Sequence, residues 1–223
     1  ILEKGREWMN LGTLKKTHTL SDQAYTTIKA AVMSNQLKPG EVLTTEALAA
    51  QLGISRTPIT IALNRLAQEK IVVPQENKTM VVSTITQKDI DDVTAVRRIL
   101  EPEAVRMLKG RINAGNIGEL RAIQKNRRIY MEQGDIRSFI EADHIYHMTL
   151  VSFTGNDYLY AMLEQLDEVT NRFLILSGTV KKHMHAAYEE HEEIIRYLEQ
   201  ENFDGAAEAL LKHIDNVDVR MLT

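Results

Sequence analysis

The chain has 223 residues, no cysteine and a formal net charge of −4. This length accommodates one large domain or two smaller ones, and the lack of cysteine excludes disulfides and thiolate metal sites. No apolar run approaches the roughly 18–20 residues of a membrane span, and no signal peptide is visible, so we expect a cytoplasmic protein that does not enter membranes. Residues 1–86 hold 10 Lys/Arg against 7 Asp/Glu, whereas residues 87–223 hold 17 against 24. A mildly basic first part on an acidic remainder suits nucleic-acid binding by the first part alone.

Three helices and a β-hairpin are predicted in the first part of the chain. The helices run from residue 21 to a turn at 38–40, from 44 to 53, and onward from 55. Two β-like runs, Ile71–Val73 and Met80–Val82, flank a polar tip and form the hairpin. The helix starts are predicted from the capping residues Ser21 or Asp22, Thr44 or Thr45, and Ser55. The helix ends are predicted from Pro39-Gly40 and Gly53.

From residue 87 onward the whole pattern is helical. Breaks near 110–118, 134, 155–156, 177–178 and 202–205 divide it into about six helices, with no proline expected inside them. The prediction is therefore a mainly α protein with two domains. A winged helix-turn-helix with a small hairpin occupies 15–85, and an antiparallel helical bundle occupies 87–221.

The helices and hairpin of the first domain have the order of a winged helix-turn-helix. In such a motif the N-terminal turn of the last helix lies nearest the bases and phosphates of the major groove. Ser55, Arg56 and Thr57 occupy that turn, where hydroxyls and backbone N–H groups hold phosphate and an arginine reaches phosphate or guanine. Lys78 at the hairpin tip suits the neighbouring minor groove or backbone.

Four residues of the second domain have the types and spacing of a metal site. Asp143 and His147 are four apart and share one helix face. His191 and His213 each lie eleven residues from Asn202, so they reach the same depth on either side of a helical hairpin. Carboxylate and imidazole suit Zn, Ni, Mn or Fe, with Zn or Ni favoured.

Each of these residues alone has an ordinary explanation as a surface group, and only their joint placement indicates a metal site. His144, His183 and His185 are left out, since His144 points about 100° away from Asp143 on a helix and the other two are expected at the surface. Two alternatives remain open for the metal. A metalloenzyme would need a general base, for which Glu190 and Glu192 are the only suggestion, and a closed, purely structural site would have no effector.

The segment LKPGEVLTTEALAAQLGISRTPITIALNRLAQEKIV closely resembles the DNA-binding head of GntR-type bacterial transcription regulators. The resemblance covers about residues 15–85. It implies DNA contacts by Ser55, Arg56, Thr57 and Lys78, with Thr60 at a reading position. Three departures concern DNA affinity: Glu46 stands where the family usually has Arg, Thr60-Ile61 where it has Arg-Glu, and Thr79 where the wing usually has Gly.

The remainder resembles the FCD effector domain of the FadR branch of that family, through AVRRILEPEAVRM, the Asp143/His147 pair, EEHEEI and LLKHI. The resemblance implies one divalent ion on Asp143, His147, His191 and His213. It also implies a small organic acid contacted by Arg97. Independently of the resemblance, Arg172 on a later helix is a second candidate for the same pocket, because a guanidinium can grip a carboxylate beside the metal. The expected protein is a homodimeric regulator, a repressor rather than an enzyme, that binds an inverted-repeat operator in double-stranded DNA.

Overall fold

The computed structural model describes residues 19–76 and 79–221. These residues form two compact units, one of 19–31 with 41–82 and one of 32–40 with 83–221. Within the described residues, no helix is both long enough and apolar enough to cross a membrane.

The first unit is a winged helix-turn-helix, as predicted. Its elements are α1 (Leu20–Met33), β1 (Val42–Leu43), α2 (Thr45–Leu52), α3 (Arg56–Gln68), β2 (Val72–Pro74) and β3 (Met80–Val82). The strands form an antiparallel sheet in the order β1-β3-β2, with Val42 opposite Val81 and Val72 opposite Val82. The sequence pattern missed β1, because two residues are too few to show alternation.

The helix ends of this unit correct some predicted caps. Thr44 caps α2 by accepting from the backbone N–H of Ala47 at 3.1 Å, and Gly53 ends α2 in a left-handed conformation with φ 66°. Ser55 precedes α3 but makes no side-chain cap bond. The first helix begins one residue before the predicted cap, since Thr19 accepts from the backbone N–H of Asp22 at 3.2 Å.

The second unit is a bundle of six helices, in agreement with the predicted number. They are α4 (Gln87–Arg106), α5 (Ala114–Gln133), α6 (Ile136–Ser152), α7 (Asp157–Ser177), α8 (Val180–Glu199) and α9 (Phe203–Met221). Each packs against two main neighbours, in the closed order α4, α9, α8, α5, α6, α7 and back to α4. Short loops join consecutive helices after α5, so these helices run antiparallel.

One expectation about this unit is wrong. Pro102 lies inside α4, where no interior proline was expected. Proline removes one backbone donor from a helix, yet α4 continues to Arg106 and buries Pro102 together with Ala104 and Val105. Packing of this apolar face therefore outweighs the local cost. The main core lies between the helices and is built from Val105, Leu108, Leu120, Tyr146, Leu150, Ile194, Ile195, Leu198 and Leu210.

Candidate metal centre and nucleic-acid interface

The four predicted ligands meet inside the helical bundle. α6 presents Asp143 and His147 one turn apart, α8 presents His191 and α9 presents His213. One ligand atom from each side chain lies within 4.8 Å of the other three. The three imidazoles are buried, whereas the Asp143 side chain keeps 16% of its surface exposed. The cluster therefore has one ligand that is accessible from outside.

The separations within the cluster suit a shared ion. The Nε2 atoms of His191 and His213 are 3.1 Å apart, and Asp143 oxygens lie 3.7 Å from Nε2 of His191 and 3.8 Å from Nε2 of His147. Atoms that bind one ion at about 2.0–2.2 Å lie at most about 4.4 Å from each other. The observed spacing needs little adjustment to accept a divalent metal.

Carboxylates behind two of the histidines set their orientation. Nδ1 of His147 bonds Glu101 at 2.9 Å, and Nδ1 of His213 bonds Glu190 at 2.7 Å. A carboxylate at Nδ1 holds the proton there and leaves Nε2 as the free lone pair, which is the usual arrangement behind a metal-binding imidazole. Nε2 of His147 is buried and has no hydrogen-bond partner in the described part of the chain. An unsatisfied buried nitrogen that points at three other ligands fits a missing cation.

His191 has a different partner behind it. Arg127 is fully buried, donates to Asp143 Oδ1 at 2.6 Å and to Gln124 Oε1 at 2.9 Å, and also contacts Nδ1 of His191. A donor at Nδ1 favours the tautomer that carries its proton on Nε2. Coordination through Nε2 would therefore require Arg127 to direct its N–H groups to Gln124 and Asp143, both of which already accept from it. This is the one feature of the described cluster that opposes a metal.

The electrostatics of the cluster favour ionised aspartate and two neutral histidines. Burial alone would raise the pKa of Asp143, but Arg127 and the nearby histidines bring that pKa below its ordinary value. Burial lowers the pKa of both His191 and His213, and Arg127 lowers that of His191 further. Burial opposes the charge of His147, yet Glu101 raises its pKa. Metal binding at His147 would therefore compete with protonation of its imidazole.

Arg97, assigned to the effector by resemblance, lies buried behind the cluster. Its Nε donates to Glu101 at 2.5 Å, and its Nη1 donates to Thr170 at 3.1 Å. Its Nη2 lies 3.9 Å from Asp167. Arg97 thus reaches the ligand His147 through Glu101. A direct contact between Arg97 and an effector stays a prediction.

Arg172, the second effector candidate, bonds Ser83 rather than a metal ligand. Its Nη1 donates to the Ser83 hydroxyl at 2.8 Å, and its Nη2 donates to the Ser83 carbonyl. His144, left out of the predicted site, contacts Asp167 from the face of α6 away from Asp143. The role of Arg172 in effector binding also stays a prediction.

A cavity that is open to solvent borders the cluster. Asp143 and His213 belong to both its wall and the cluster, and Arg220 also lines it. His183 lines it too, although the sequence analysis placed it at the surface. Most of the remaining lining is apolar and comes from α6, α7, α8 and α9: Phe139, Ile140, Leu174, Val180, Met184 and Val217.

The predicted DNA-binding residues lie on the exposed start of α3. Ser55, Arg56, Thr57 and Thr60 are all exposed, and Lys78 lies outside the described residues. Arg56 forms an ion pair with Glu46 at 2.8 Å, where 68% and 60% of the two side chains remain exposed.

Thr60 makes a bond within its own helix. Its hydroxyl donates to the Arg56 carbonyl at 3.1 Å. The methyl group of Thr60 and the exposed Ile61 therefore give this face an apolar character, which suits contact with a thymine methyl group.

Sequence reasoning missed the residues that support the ligands. Glu101 carried one signal, since it stands four residues after Arg97 and so shares a helix face with it. The sequence position of Glu190 was misleading, because Glu190 precedes His191 in the chain but bonds His213 on another helix. Arg127 and Arg220 had no local signal, since their partners are distant along the chain.

Comparisons with known proteins agree with both units. The family model "Bacterial regulatory proteins, gntR family" matches residues 20–82, and the model "FCD domain" matches residues 92–216, more than half of the chain. A relative, the uncharacterized HTH-type transcriptional regulator YdhC of Bacillus subtilis, is 25% identical over 87% of each chain. The gluconate operon transcriptional repressor of Bacillus licheniformis is 27% identical over 85% of this chain and 80% of its own.

Solved structures share the fold. Escherichia coli McbR/YncC superposes with a TM-score of 0.78 at 21% identity, over 92% of this chain and 97% of that one. A putative GntR regulator from Rhodococcus sp. RHA1 gives a TM-score of 0.79 at 17% identity, over 91% and 97%. These families and relatives are transcription regulators rather than enzymes. The chain belongs to the GntR family of bacterial DNA-binding transcription regulators, with an FCD domain following its winged helix-turn-helix.

Proposed function

We propose that this regulator belongs to the FadR branch, and that its operator binding responds to a small carboxylate held at a divalent metal in the FCD domain. The metal ligands would be Asp143, His147, His191 and His213. The observation that carries the proposal is the convergence of these four ligand atoms within 4.8 Å beside a cavity.

The metal would act as a Lewis acid that accepts carboxylate oxygens from the effector. The protein would contribute orientation, since Glu101 and Glu190 direct two imidazoles and Arg127 holds Asp143. Three nitrogen ligands and one oxygen suit Zn or Ni, and also Mn or Fe. Arg97 would tune His147 through Glu101, and Arg172 is retained as an untested effector contact.

Repression and dimerisation complete the proposal. Two relatives are named as gluconate operon repressors, which supports a repressor. A two-fold dimer would read an inverted repeat in double-stranded DNA. α4 and α7 pack on each other and expose a set of apolar side chains suited to a second copy: Val96, Ile99, Tyr158 and Met162.

The test measures operator affinity at defined metal content. A binding site is first selected from random or genomic DNA, and its affinity is then followed by fluorescence anisotropy with apo protein, with metal, and with metal plus each acid of a panel. We expect one acid to change operator affinity at least about fivefold in the metal-loaded protein only, which is the lower range of measured couplings between sites. His147→Ala should lose this response, while His185→Ala, at an exposed position of α8, should keep it.

A purely structural metal is the second candidate, because the three histidines are almost fully buried. In that case metal removal would melt the FCD domain, and no acid would alter DNA binding. If the metal instead serves to bind the effector, the metal-free domain should stay folded, because its apolar core does not depend on the metal. A thermal unfolding curve of the metal-free protein, recorded together with the anisotropy data, distinguishes a structural metal from an effector-binding metal.

A further inference from the structure

The cavity beside the metal cluster has a composition that selects among carboxylic acids. Its walls are formed mainly by Phe139, Ile140, Leu174, Val180, Met184 and Val217. One side-chain hydroxyl lines it, that of Thr179 at the start of α8. A ligand body that fills this space meets hydrocarbon on most sides, as in most small-molecule sites.

The charged groups of the cavity lie beside the metal cluster, whereas Thr179 and His183 line it from the start of α8. Asp143 and His213 belong to that cluster, and Arg220 follows His213 by seven residues, two turns along the same face of α9. Arg220 donates to Glu190 at 2.5 and 3.1 Å, and the Arg220 side chain is 18% exposed. A guanidinium has five N–H donors in a planar fork, so it can serve a second carboxylate while it retains the first.

Arg220 is the one lysine or arginine among the described residues that line the cavity. A second carboxylate elsewhere in the cavity would meet mostly apolar wall, where the only other polar side chains among the described lining residues are Thr179 and His183 at the start of α8. The several hydroxyl groups of a polyhydroxy acid would outnumber the partners that Thr179 and His183 offer, and unpaired buried polar groups are strongly disfavoured. The lining thus disfavours both dicarboxylates and polyhydroxy acids.

We propose that the effector is a monocarboxylate with an apolar body, whose carboxylate lies between the metal and Arg220 and whose hydrocarbon packs against Phe139, Leu174, Val180 and Met184. This inference rests on the proposed function, since it names the class of acid that the same site takes. It makes Arg220 a specificity-determining residue, and Glu190 the group that positions both Arg220 and His213.

The test uses isothermal titration of the zinc-loaded protein to compare acids of increasing chain length, and to compare the longest acid with six-carbon ligands of different polarity. The series is acetate, butanoate and hexanoate, with gluconate as the hydroxylated six-carbon match, adipate as the dicarboxylate match and 1-hexanol as the uncharged match. We expect affinity to rise by about fourfold for each methylene buried. We expect hexanoate to bind at least tenfold tighter than gluconate, adipate or hexanol.

Two variants locate the two ends of the ligand. Leu174→Asn, at a half-buried wall position, should flatten the chain-length dependence and leave acetate binding intact. Arg220→Gln should weaken every acid about tenfold at unchanged zinc content, whereas Arg220→Lys should recover part of the loss.

The outcomes separate this inference from the proposed function. Gluconate or adipate binding as tightly as hexanoate, or a flat chain-length series, would overturn the inference while a metal-bound carboxylate remains. Equal binding of hexanol would overturn the role of the carboxylate end. Failure of every acid to bind the zinc-loaded protein, which is checked for folding by its thermal transition, would overturn the proposed function itself.

Discussion

At the residue scale, the carboxylates that bond Nδ1 of two histidines favour the interpretation of the cluster as a metal site over that of histidines that are simply buried. Glu190 bonds His213 and Arg220 at once, and these contacts overcome the effect of burial and lower the pKa of Glu190 to about 2. A permanently ionised acceptor at Nδ1 makes Nε2 of His213 a better metal ligand. Glu190 would therefore contribute to metal affinity without touching the proposed metal.

Glu190→Gln should weaken zinc binding by about 10–100-fold, since the amide is a poorer acceptor for the His213 proton. Competition with a chromogenic chelator measures the affinity. The matched control is Glu189→Gln, which changes the exposed neighbouring residue by the same atoms. Equal affinities for the two variants would show that Glu190 does not support a metal ligand.

The ion pair between Glu46 and Arg56 affects DNA binding at the same scale. The pair neutralises an arginine at the start of the recognition helix, and Glu46 would lie near the phosphates if that helix binds the major groove. Glu46→Gln should therefore tighten DNA binding about 3–10-fold at low salt and steepen its salt dependence.

Fluorescence anisotropy over a salt series provides the measurement for Glu46→Gln. Glu208→Gln, exposed on α9, makes the same change in net charge far along the chain and should leave DNA affinity unchanged. Weaker binding by Glu46→Gln would instead make the carboxylate a direct acceptor for a base.

At the element scale, two glycines should respond in opposite directions to substitution by alanine, because one ends a helix and the other lies inside one. Gly53 ends α2 at φ 66° with no atom near an added Cβ, so Gly53→Ala pays only the backbone strain of about 1–2 kcal/mol. Gly118 lies within α5 and also has open space around it, so Gly118→Ala should stabilise by about 0.5–1 kcal/mol. Scanning calorimetry should show opposite shifts in Tm, and shifts of equal sign would contradict the assignment.

Most helix limits could be predicted from the sequence, because capping residues and C-terminal glycines act on residues close to them in the chain. The αL glycines Gly53, Gly134 and Gly178 and the cap Thr44 lie where sequence signals placed helix limits. The predicted cap of α1 was wrong, because Thr19 and Ser21 are both good caps and the choice depends on the bond to Asp22. Pro102 in α4 was missed, because a rule of local propensity does not include the tertiary packing that buries it.

The site was predictable to the extent that it follows helix periodicity. Asp143 with His147, and His191 with His213, could be paired because one helix turn and one helical hairpin fix their relative positions. Arg127 and Glu101 reach the same centre from α5 and α4. Their places depend on the order in which the six helices pack, which no local pattern contains.

At the scale of the whole molecule, the exposed faces of α4 and α7 predict how two copies associate. Ile99 is 70% exposed and Met162 is 56% exposed, which is unusual for side chains of this size. The double variant Ile99→Asp/Met162→Asp should convert the proposed dimer to monomer, because two charges would be buried without partners in the interface.

Light scattering after size exclusion measures the mass of this variant. Val219→Asp, a control at a 61% exposed position on α9, should leave the dimer intact. A dimer that survives the double variant would place the interface on another surface. The proposed regulation would require the ligand to bind the DNA-binding state of such a dimer with a different affinity from the state that does not bind DNA.

The proposed binding of a metal by Asp143, His147, His191 and His213 is tested by the metal content per chain. Elemental analysis would be made on wild type, His147→Ala and His185→Ala, each purified without a histidine tag or chelator. The account predicts about one divalent metal per chain in wild type and in His185→Ala, with none in His147→Ala. Wild-type protein that holds no metal, even after reloading with Zn or Ni, would contradict it.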